Sequence, residues 1–293
     1  MRTAATRTGR PGAIALCLLA YVVAGLVAGW TARAVGTSHP LMVAAAADLA
    51  ATAAVFAFSL AFDNSSFYDP YWSVAPVALA LYWIGTAGAG VRGPRQGLVL
   101  ALVACWAIRL TWNWLRGWTG LEHEDWRYRD LRAQSGRAYW LVSFVGIHLL
   151  PTVVVFLGCL GVYVAVGAGT RPLGLLDAVA AVVTAGAIGL EATADQQLRR
   201  FRATATSGQT LATGLWAWSR HPNYLGETSF WWGLFLFGLA ADPGRWWTIA
   251  GPLTITLMFV FVSIPMIDRR MLARRPDYAD LVRRIPALMP WPR

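Results

Sequence analysis

Long apolar runs separated by short polar segments make up most of this chain. Runs of about 18 or more apolar residues are typical of helices that cross a membrane. The candidate runs are residues 13–34, 41–62, 74–91, 97–115, 139–166, 174–194, 224–241 and 246–266. The run 224–241 is short and contains Glu227. We therefore predict an all-α fold, a polytopic transmembrane helical bundle with seven or eight spans.

Polar segments interrupt the apolar runs and carry nearly all the residues that could bind a ligand or take part in a reaction. They are residues 63–73, 116–138, 195–223 and 267–293. If the N-terminus is cytoplasmic, the alternation of spans places all of them on the cytoplasmic side, whereas the opposite loops are short. We predict N-terminal transmembrane helices over residues 1–62 and a main membrane domain over residues 63–293, with its chemistry at the cytoplasmic face.

The charged residues favour this orientation. All 25 basic residues are arginine, and most of them lie in the segments placed in the cytoplasm, as the positive-inside rule requires. Only 14% of residues are charged, against about a quarter in a soluble domain. The net charge of +10 suits anionic membrane lipids, and no nucleic-acid-binding motif is present. We expect an integral protein of the cytoplasmic membrane with both termini in the cytoplasm.

Neither the cysteines nor the histidines predict a metal site. The cysteines lie in apolar runs without metal-ligand spacing, and they imply no disulfide framework: Cys17, Cys105 and Cys159. His123 has acidic neighbours on both sides, but no second histidine lies at ligand spacing. We therefore predict buried thiols that behave as small hydrophobic groups, and no bound metal.

The first polar segment holds Tyr68, Asp69 and Tyr71 as candidate catalytic residues. In one interpretation it is a turn between two spans, started by Pro70, with its aromatic residues in the interfacial belt. In the other, the phenols and the carboxyl group face a substrate cavity as hydrogen-bond donors or acids. Two carboxylates and two phenols within residues 63–71 are more than a turn needs.

The next two constellations follow helical spacing. Arg109, Asn113 and Arg116 are separated by four and three residues, which places them on one helix face. Arg109 lies within a span, so it should face the protein interior as a functional charge. The polar residues 124–130 can equally form a solvated helix with ion pairs.

Four further residues follow at steps of four, four and three and share one face of the sixth run and its extension: Glu191, Asp195, Arg199 and Arg202. Acids suit the hydroxyl groups of a ribose or the amino group of an adenine. Arginines suit phosphates, because the guanidinium fork matches them bidentately. A salt-bridged amphipathic helix lying on the headgroups is the alternative.

Residues 219–227 read Ser-Arg-His-Pro-Asn-Tyr-Leu-Gly-Glu, directly before an aromatic apolar run. Pro222 suits the first turn of a helix, so its two predecessors stand at a helix N-terminus, where exposed N–H groups favour anions. Three residues at steps of four then share one face of that helix. The candidate site residues here are Arg220, His221, Asn223, Tyr224, Glu227 and Trp231.

The tail over residues 267–293 is rich in arginine and contains Tyr278. The arginines are either topology signals alone or part of a closure over a polyanionic cofactor. The sequence leaves both interpretations open.

Several of these motifs together resemble the steroid 5-alpha-reductase-like family, and within it an uncharacterised bacterial branch. The resemblance covers most of residues 60–290. It rests on Asp195-Gln196-Gln197-Leu198, Arg202, Gly214-Leu215-Trp216, Ser219 to Glu227, Tyr278, Ile285-Pro286, the 64–72 segment and Glu124-Asp125-Trp126-Arg127-Tyr128. The Arg-His-Pro-Asn-Tyr core alone is also similar to a turn of membrane methyltransferases that act on isoprenylcysteine or phospholipids.

The resemblance implies a helical membrane reductase that binds NADPH from the cytoplasm. Asn223, Glu227 and Trp231 match positions near the nicotinamide, whereas Asp195 and Arg202 match positions that contact the nucleotide. Glu191 stands where the steroid enzymes tend to have asparagine. Their substrate-polarising Gln-Glu pair in an early helix has no clear counterpart, and we expect Tyr68, Asp69 or Tyr71 to take its role.

Three functions remain in view at this point. The first is NADPH-dependent reduction of an activated C=C bond in a lipophilic, steroid-like enone. The second is methyl transfer from S-adenosylmethionine to a lipid or prenyl substrate, and the third is non-enzymatic lipid binding. S-adenosylmethionine has no diphosphate, so the arginines beyond Asp195 favour NADPH, and Asp268-Arg269-Arg270 stands where such methyltransferases tend to carry paired glutamates. Substrate identity and oligomeric state are not readable from the sequence.

Overall fold

The computed structural model describes residues 9–91, 93–206, 208–275 and 277–289, and every regular element in these residues is helical. The all-α prediction is therefore confirmed for this part of the chain. Two compact units divide the molecule. Unit 1 contains Met1–Ala87 and Val103–Phe156, and unit 2 contains Gly88–Leu102 and Leu157–Arg293.

Unit 1 holds the first two polar segments and the N-terminal helices. Its helices are α1 (Arg10–Ala34), α2 (Pro40–Ala61), α3 (Tyr71–Gly85), the larger part of α4 (Gly93–Gly117), α5 (Trp126–Ser135), α6 (Tyr139–Ser143) and the larger part of α7 (Leu150–Gly158). A 3-10 turn, Ser65–Tyr68, precedes α3, and a π-helical turn, Phe144–Leu149, joins α6 to α7. Small buried alanines of α1 let α2 and the aromatic residues of the first polar segment pack closely against it.

Unit 2 holds the other two polar segments. Its helices, after the ends of α4 and α7, are α8 (Leu160–Tyr163), α9 (Leu175–Thr204), α10 (Pro222–Ala241), α11 (Ala250–Met258), α12 (Ile264–Arg274) and α13 (Tyr278–Arg284). Pro222 occupies the first turn of α10, where its missing N–H costs no helical hydrogen bond. α9 and α10 pack along each other over most of their lengths.

Six described helical stretches are long and apolar enough to cross a membrane, which indicates an integral membrane protein. They are Arg10–Ala34, Pro40–Ala61, Gly93–Gly117, Trp126–Ala168, Leu175–Thr204 and Pro243–Arg274. The predicted spans 74–91 and 224–241 also form helices, α3 and α10, but they are not among these six. α3 has 15 residues, fewer than the roughly 20 that cross a bilayer, and the polar first half of α10 lowers its hydropathy.

Candidate functional site

Close contact between α9 and α10 builds the site of unit 2. At Gly226, an added Cβ would lie 2.7 Å from the Cβ of Glu191 and 3.0 Å from the carbonyl oxygen of Ala187. Only glycine therefore lets the first half of α10 approach α9 this closely. The four residues predicted on one helical face, Glu191 to Arg202, all belong to α9, whose C-terminal half passes the start of α10.

The predicted residues of α10 line its first turns. Glu227 is buried, and its Oε1 accepts a hydrogen bond of 2.8 Å from the indole nitrogen of Trp231, one turn along the helix. Asn223 lies in the first turn, and its Oδ1 is buried without a hydrogen-bond partner. A buried amide oxygen without a donor costs free energy, so Oδ1 of Asn223 has capacity to accept a hydrogen bond.

Arginines and amides surround the C-terminal end of α9. Arg202 is exposed, close enough to Arg275 for their positive charges to repel and close enough to Asp195 to be attracted. Arg199 donates from Nη2 to Oε1 of Gln196 at 2.7 Å. Gln197 accepts a hydrogen bond from the backbone of Leu215 at 3.0 Å, which ties the loop after α9 to this helix. The result is a cationic surface that an anion can neutralise.

Arg220 and His221 are engaged inside the chain. Both donate to the carboxylate of Asp268 on α12, Arg220 from Nη2 at 2.8 Å and His221 through Nε2 at 2.9 Å. Tyr278 donates to the same carboxylate at 2.5 Å. Burial and the neighbouring carboxylate raise the pKa of the Tyr278 phenol, so it keeps its proton. Tyr224 stacks on the His221 ring with centroids 5.4 Å apart.

In unit 1, the polar segments 63–73 and 116–138 are joined by hydrogen bonds, and we call the structure that they form the polar cap. The Asn64 amide donates to the carbonyl oxygens of Leu121 and His123 at 2.6 and 3.1 Å. The backbone N–H of Ser65 donates to Glu124 at 2.9 Å. Local turn chemistry predicts neither contact, because the partners are more than fifty residues apart.

Asp69 is held within the polar cap, whereas Tyr68 contacts residues that follow the second polar segment in the chain. The Tyr68 hydroxyl hydrogen-bonds Thr152 at 2.8 Å, and its ring lies against His148 with centroids 4.9 Å apart. Asp69 accepts a hydrogen bond of 2.5 Å from Tyr128. Burial raises the pKa of the Asp69 carboxyl group to about 6, although the Tyr128 hydrogen bond opposes this shift.

The raised pKa of Asp69 makes a testable contribution to stability. The folded protein binds this proton more tightly than the unfolded chain, so the contribution is complete below the ordinary aspartate pKa of about 4 and is lost as the pH rises through about 6. We expect the Tm in detergent to rise on acidification across this window, and Asp69→Asn to flatten the rise. The exposed Asp280→Asn is the matched control, and equal slopes in wild type and Asp69→Asn would contradict the assignment.

Tyr71 lines a cavity of about 240 Å³ between α1, α2 and α3. Alanines and glycines form most of its wall, and no arginine or histidine lines it. The Tyr71 hydroxyl donates to Oδ1 of Asp48 at 2.7 Å, and Asp48 also lines the cavity. Tyr68 and Asp69 are not lining residues, so Tyr71 is the one candidate catalytic residue of the first polar segment that reaches this cavity.

The predicted site residues therefore fall into two groups. Tyr68, Asp69, Tyr71 and Arg109 belong to unit 1, with Arg109 half-buried on α4. The remaining candidates belong to unit 2. Sequence reasoning missed Asp48 and Asp268. Asp48 is an ionisable residue inside the apolar run 41–62. An ionisable residue within a span indicates a functional role, as for Arg109, so this signal could have identified it.

Comparisons with known proteins identify relatives of this chain. The model of a family described as a protein of unknown function, DUF1295, matches residues 55–285. A protein of Schizosaccharomyces pombe that is described as uncharacterized is 30% identical over 210 residues, 64% of this chain. The chain spans 61% of the length of that relative. No solved structure matches the chain.

Proposed function

We propose an activity for this chain, which belongs to the DUF1295 family of proteins of unknown function: NADPH-dependent reduction of an activated C=C bond in a lipophilic enone. The observation that carries the proposal is the buried, unpartnered Oδ1 of Asn223 in the first turn of α10. This oxygen could accept a hydrogen bond from an amide or a hydroxyl group of a ligand. The cationic end of α9 in the same unit suits a phosphate.

Unit 2 supplies the residues for the cofactor. Arg202 and Arg199 would bind phosphate, and Asp195 would accept hydrogen bonds from ribose hydroxyl groups. Asn223 would accept from the carboxamide, and Glu227, oriented by Trp231, would help to hold this end of the site. NADPH supplies the hydride when it is bound. This assignment agrees with the resemblance to the steroid 5-alpha-reductase-like family.

Unit 1 supplies a place for the substrate. The cavity between α1, α2 and α3 has a mostly apolar wall, and Asp48 and Tyr71 form a hydrogen-bonded pair within it; the phenols of Tyr21 and Tyr82 also line the cavity. Tyr71 engages Oδ1 of Asp48, which leaves Oδ2 for the ligand. In its acid form, Asp48 would donate a hydrogen bond to the enone oxygen and stabilise the negative charge that develops there. A proton added at the neighbouring carbon would complete the reduction, so that one C=C bond, one NADPH and one proton yield one CH–CH bond and NADP⁺.

Asp48 is the residue that this proposal adds to the candidates predicted from the sequence. It precedes residues 55–285, the part that the family model matches. It takes the role that we expected from Tyr68, Asp69 or Tyr71, and it retains Tyr71 as its partner. We propose further that the protein lies in the cytoplasmic membrane with its termini and cofactor site on the cytoplasmic side, as the arginine distribution favours.

Nucleotide binding by the full chain in detergent tests the proposal. We expect the wild-type protein to bind NADPH and Arg202→Ala to weaken binding about tenfold or more, because hydrogen bonds to charged groups contribute about 1.5–3 kcal/mol. Asn223→Ala should weaken it by a smaller factor, since a neutral hydrogen bond is lost. Calorimetric titration measures both effects.

Arg245→Ala is the matched control for the loss of an arginine. Arg245 is half-exposed, pairs with Asp242 at 3.0 Å and lies beyond the C-terminal end of α10. Its replacement should leave NADPH affinity unchanged. Binding of S-adenosylmethionine with no response to NADPH would refute the reductase and favour a methyltransferase.

A further inference from the structure

Asp268 joins three segments of unit 2 through one carboxylate. Its Oδ2 accepts from Arg220, and its Oδ1 accepts from His221 and Tyr278. These donors lie in the link before α10 and at the start of α13, while Asp268 itself lies on α12. The side chains of Arg220, His221 and Asp268 are 7%, 5% and 15% exposed. The contacts therefore form a shielded cluster, which we name the Asp268 cluster: Arg220, His221, Asp268 and Tyr278.

Arg220 extends this cluster into the C-terminal segment. Its Nη1 donates to the carbonyl oxygens of Ile285 and Val282 at 2.5 and 3.3 Å, at the C-terminal end of α13. Carbonyl groups at a helix end lack partners within the helix, so a guanidinium group satisfies them well. Arg220 thus stabilises the end of α13 and cannot point the same nitrogens at a phosphate.

Backbone hydrogen bonds also connect the segment before α10 to the residues after α13. The N–H groups of Arg220 and His221 donate to the carbonyl oxygens of Pro286 and Ala287 at 3.0 and 3.1 Å. The Ser219 hydroxyl also donates to Ala287 at 3.0 Å. Asp268 therefore holds the side chains of Arg220 and His221, and the carbonyl oxygens of residues 285–287 hold the whole segment 219–221. Pro222 and Asn223 follow directly in the chain.

We propose that Asp268 is a positioning residue of the nucleotide site, which fixes Arg220 and His221 and thereby the first turn of α10 that presents Asn223. For its effect on NADPH, this inference rests on the proposed function. Arg220 and His221 then serve the site through its geometry and not as phosphate ligands. Removing the carboxylate would leave a buried guanidinium without its counter-charge, and the link before α10 would lose its anchor.

The test uses the full chain in detergent and the variant Asp268→Asn, which keeps the size of the side chain and removes its charge. Hydrogen exchange of residues 219–225 without nucleotide measures the anchor, and titration with NADPH measures the site. We expect faster exchange in this segment and an NADPH affinity lowered about tenfold or more. Asp280→Asn, whose carboxylate pairs with Arg283 on the exposed side of α13, should change neither quantity.

A second variant separates positioning from a general loss of structure. Adding Arg220→Gln to Asp268→Asn removes the uncompensated charge, so we expect part of the exchange protection and of the NADPH affinity to return. Wild-type exchange in Asp268→Asn would overturn the inference, and so would faster exchange with unchanged NADPH affinity. If the wild-type protein binds no NADPH, the proposed function fails, and exchange in residues 219–225 alone decides whether Asp268 positions the start of α10.

Discussion

Asp48→Ala is expected to lower the rate of enone reduction about a hundredfold or more while NADPH affinity stays unchanged. Asp48 is buried, faces the cavity of unit 1 and holds the Tyr71 hydroxyl at 2.7 Å. Removing one preorganised donor to a developing oxyanion typically lowers kcat by about 10²–10³. The measurement is consumption of NADPH with a lipophilic enone that the wild-type protein reduces.

Milder variants distinguish a loss of catalysis from a loss of folding. Asp48→Asn keeps a donor in its amide group, so it should lose less activity than Asp48→Ala. Tyr71→Phe removes the phenol and should reduce kcat while the carboxyl group remains. Asp242→Asn, which changes a half-exposed carboxylate paired with Arg245, is the matched control. Full activity in a folded Asp48→Ala protein would exclude Asp48 as the polarising acid.

Arg95→Ala is expected to lower the free energy of unfolding of unit 2 by about 3–5 kcal/mol. Arg95 is 0% exposed and binds the Asp177 carboxylate through Nε and Nη2 at 2.7 and 2.9 Å. Its other contacts are the carbonyl oxygens of Arg171 and Pro172 at 2.8 and 3.1 Å. The truncation would leave the buried Asp177 carboxylate with only the Gly174 N–H as a donor, at 2.9 Å, and would remove the guanidinium from two carbonyl groups, so the cost exceeds that of one surface ion pair.

Thermal unfolding in detergent, followed by circular dichroism, measures this loss. Arg245→Ala removes a half-exposed pair with Asp242 and should cost at most about 1 kcal/mol. The double variant Arg95→Met with Asp177→Leu should recover much of the lost stability, because neither charge then remains buried. A single variant Arg95→Ala with a wild-type Tm would show that water or another group replaces the guanidinium.

The sequence predicts which residues share a helix face in the candidate site more fully than it predicts their contacts. The steps of four between Asn223, Glu227 and Trp231 predict a shared helix face, and the hydrogen bond between Glu227 and Trp231 agrees with it. By contrast, the guanidinium of Arg220 suggests a phosphate ligand when only neighbours in sequence are considered. Its engagement with Asp268 becomes visible only when α12 and α10 are packed together.

The helical class of the protein and the presence of membrane-crossing segments follow from amino-acid order alone. The length of an apolar run is a local property, and six described stretches are long and apolar enough to cross a membrane. The exact number of spans does not follow, because α3 ends after 15 residues and the polar turns of α10 lower its hydropathy. Tertiary packing decides the partners of the buried acids. Asp48 meets Tyr71 across 23 positions and Asp268 meets His221 across 47, distances at which helical periodicity carries no information.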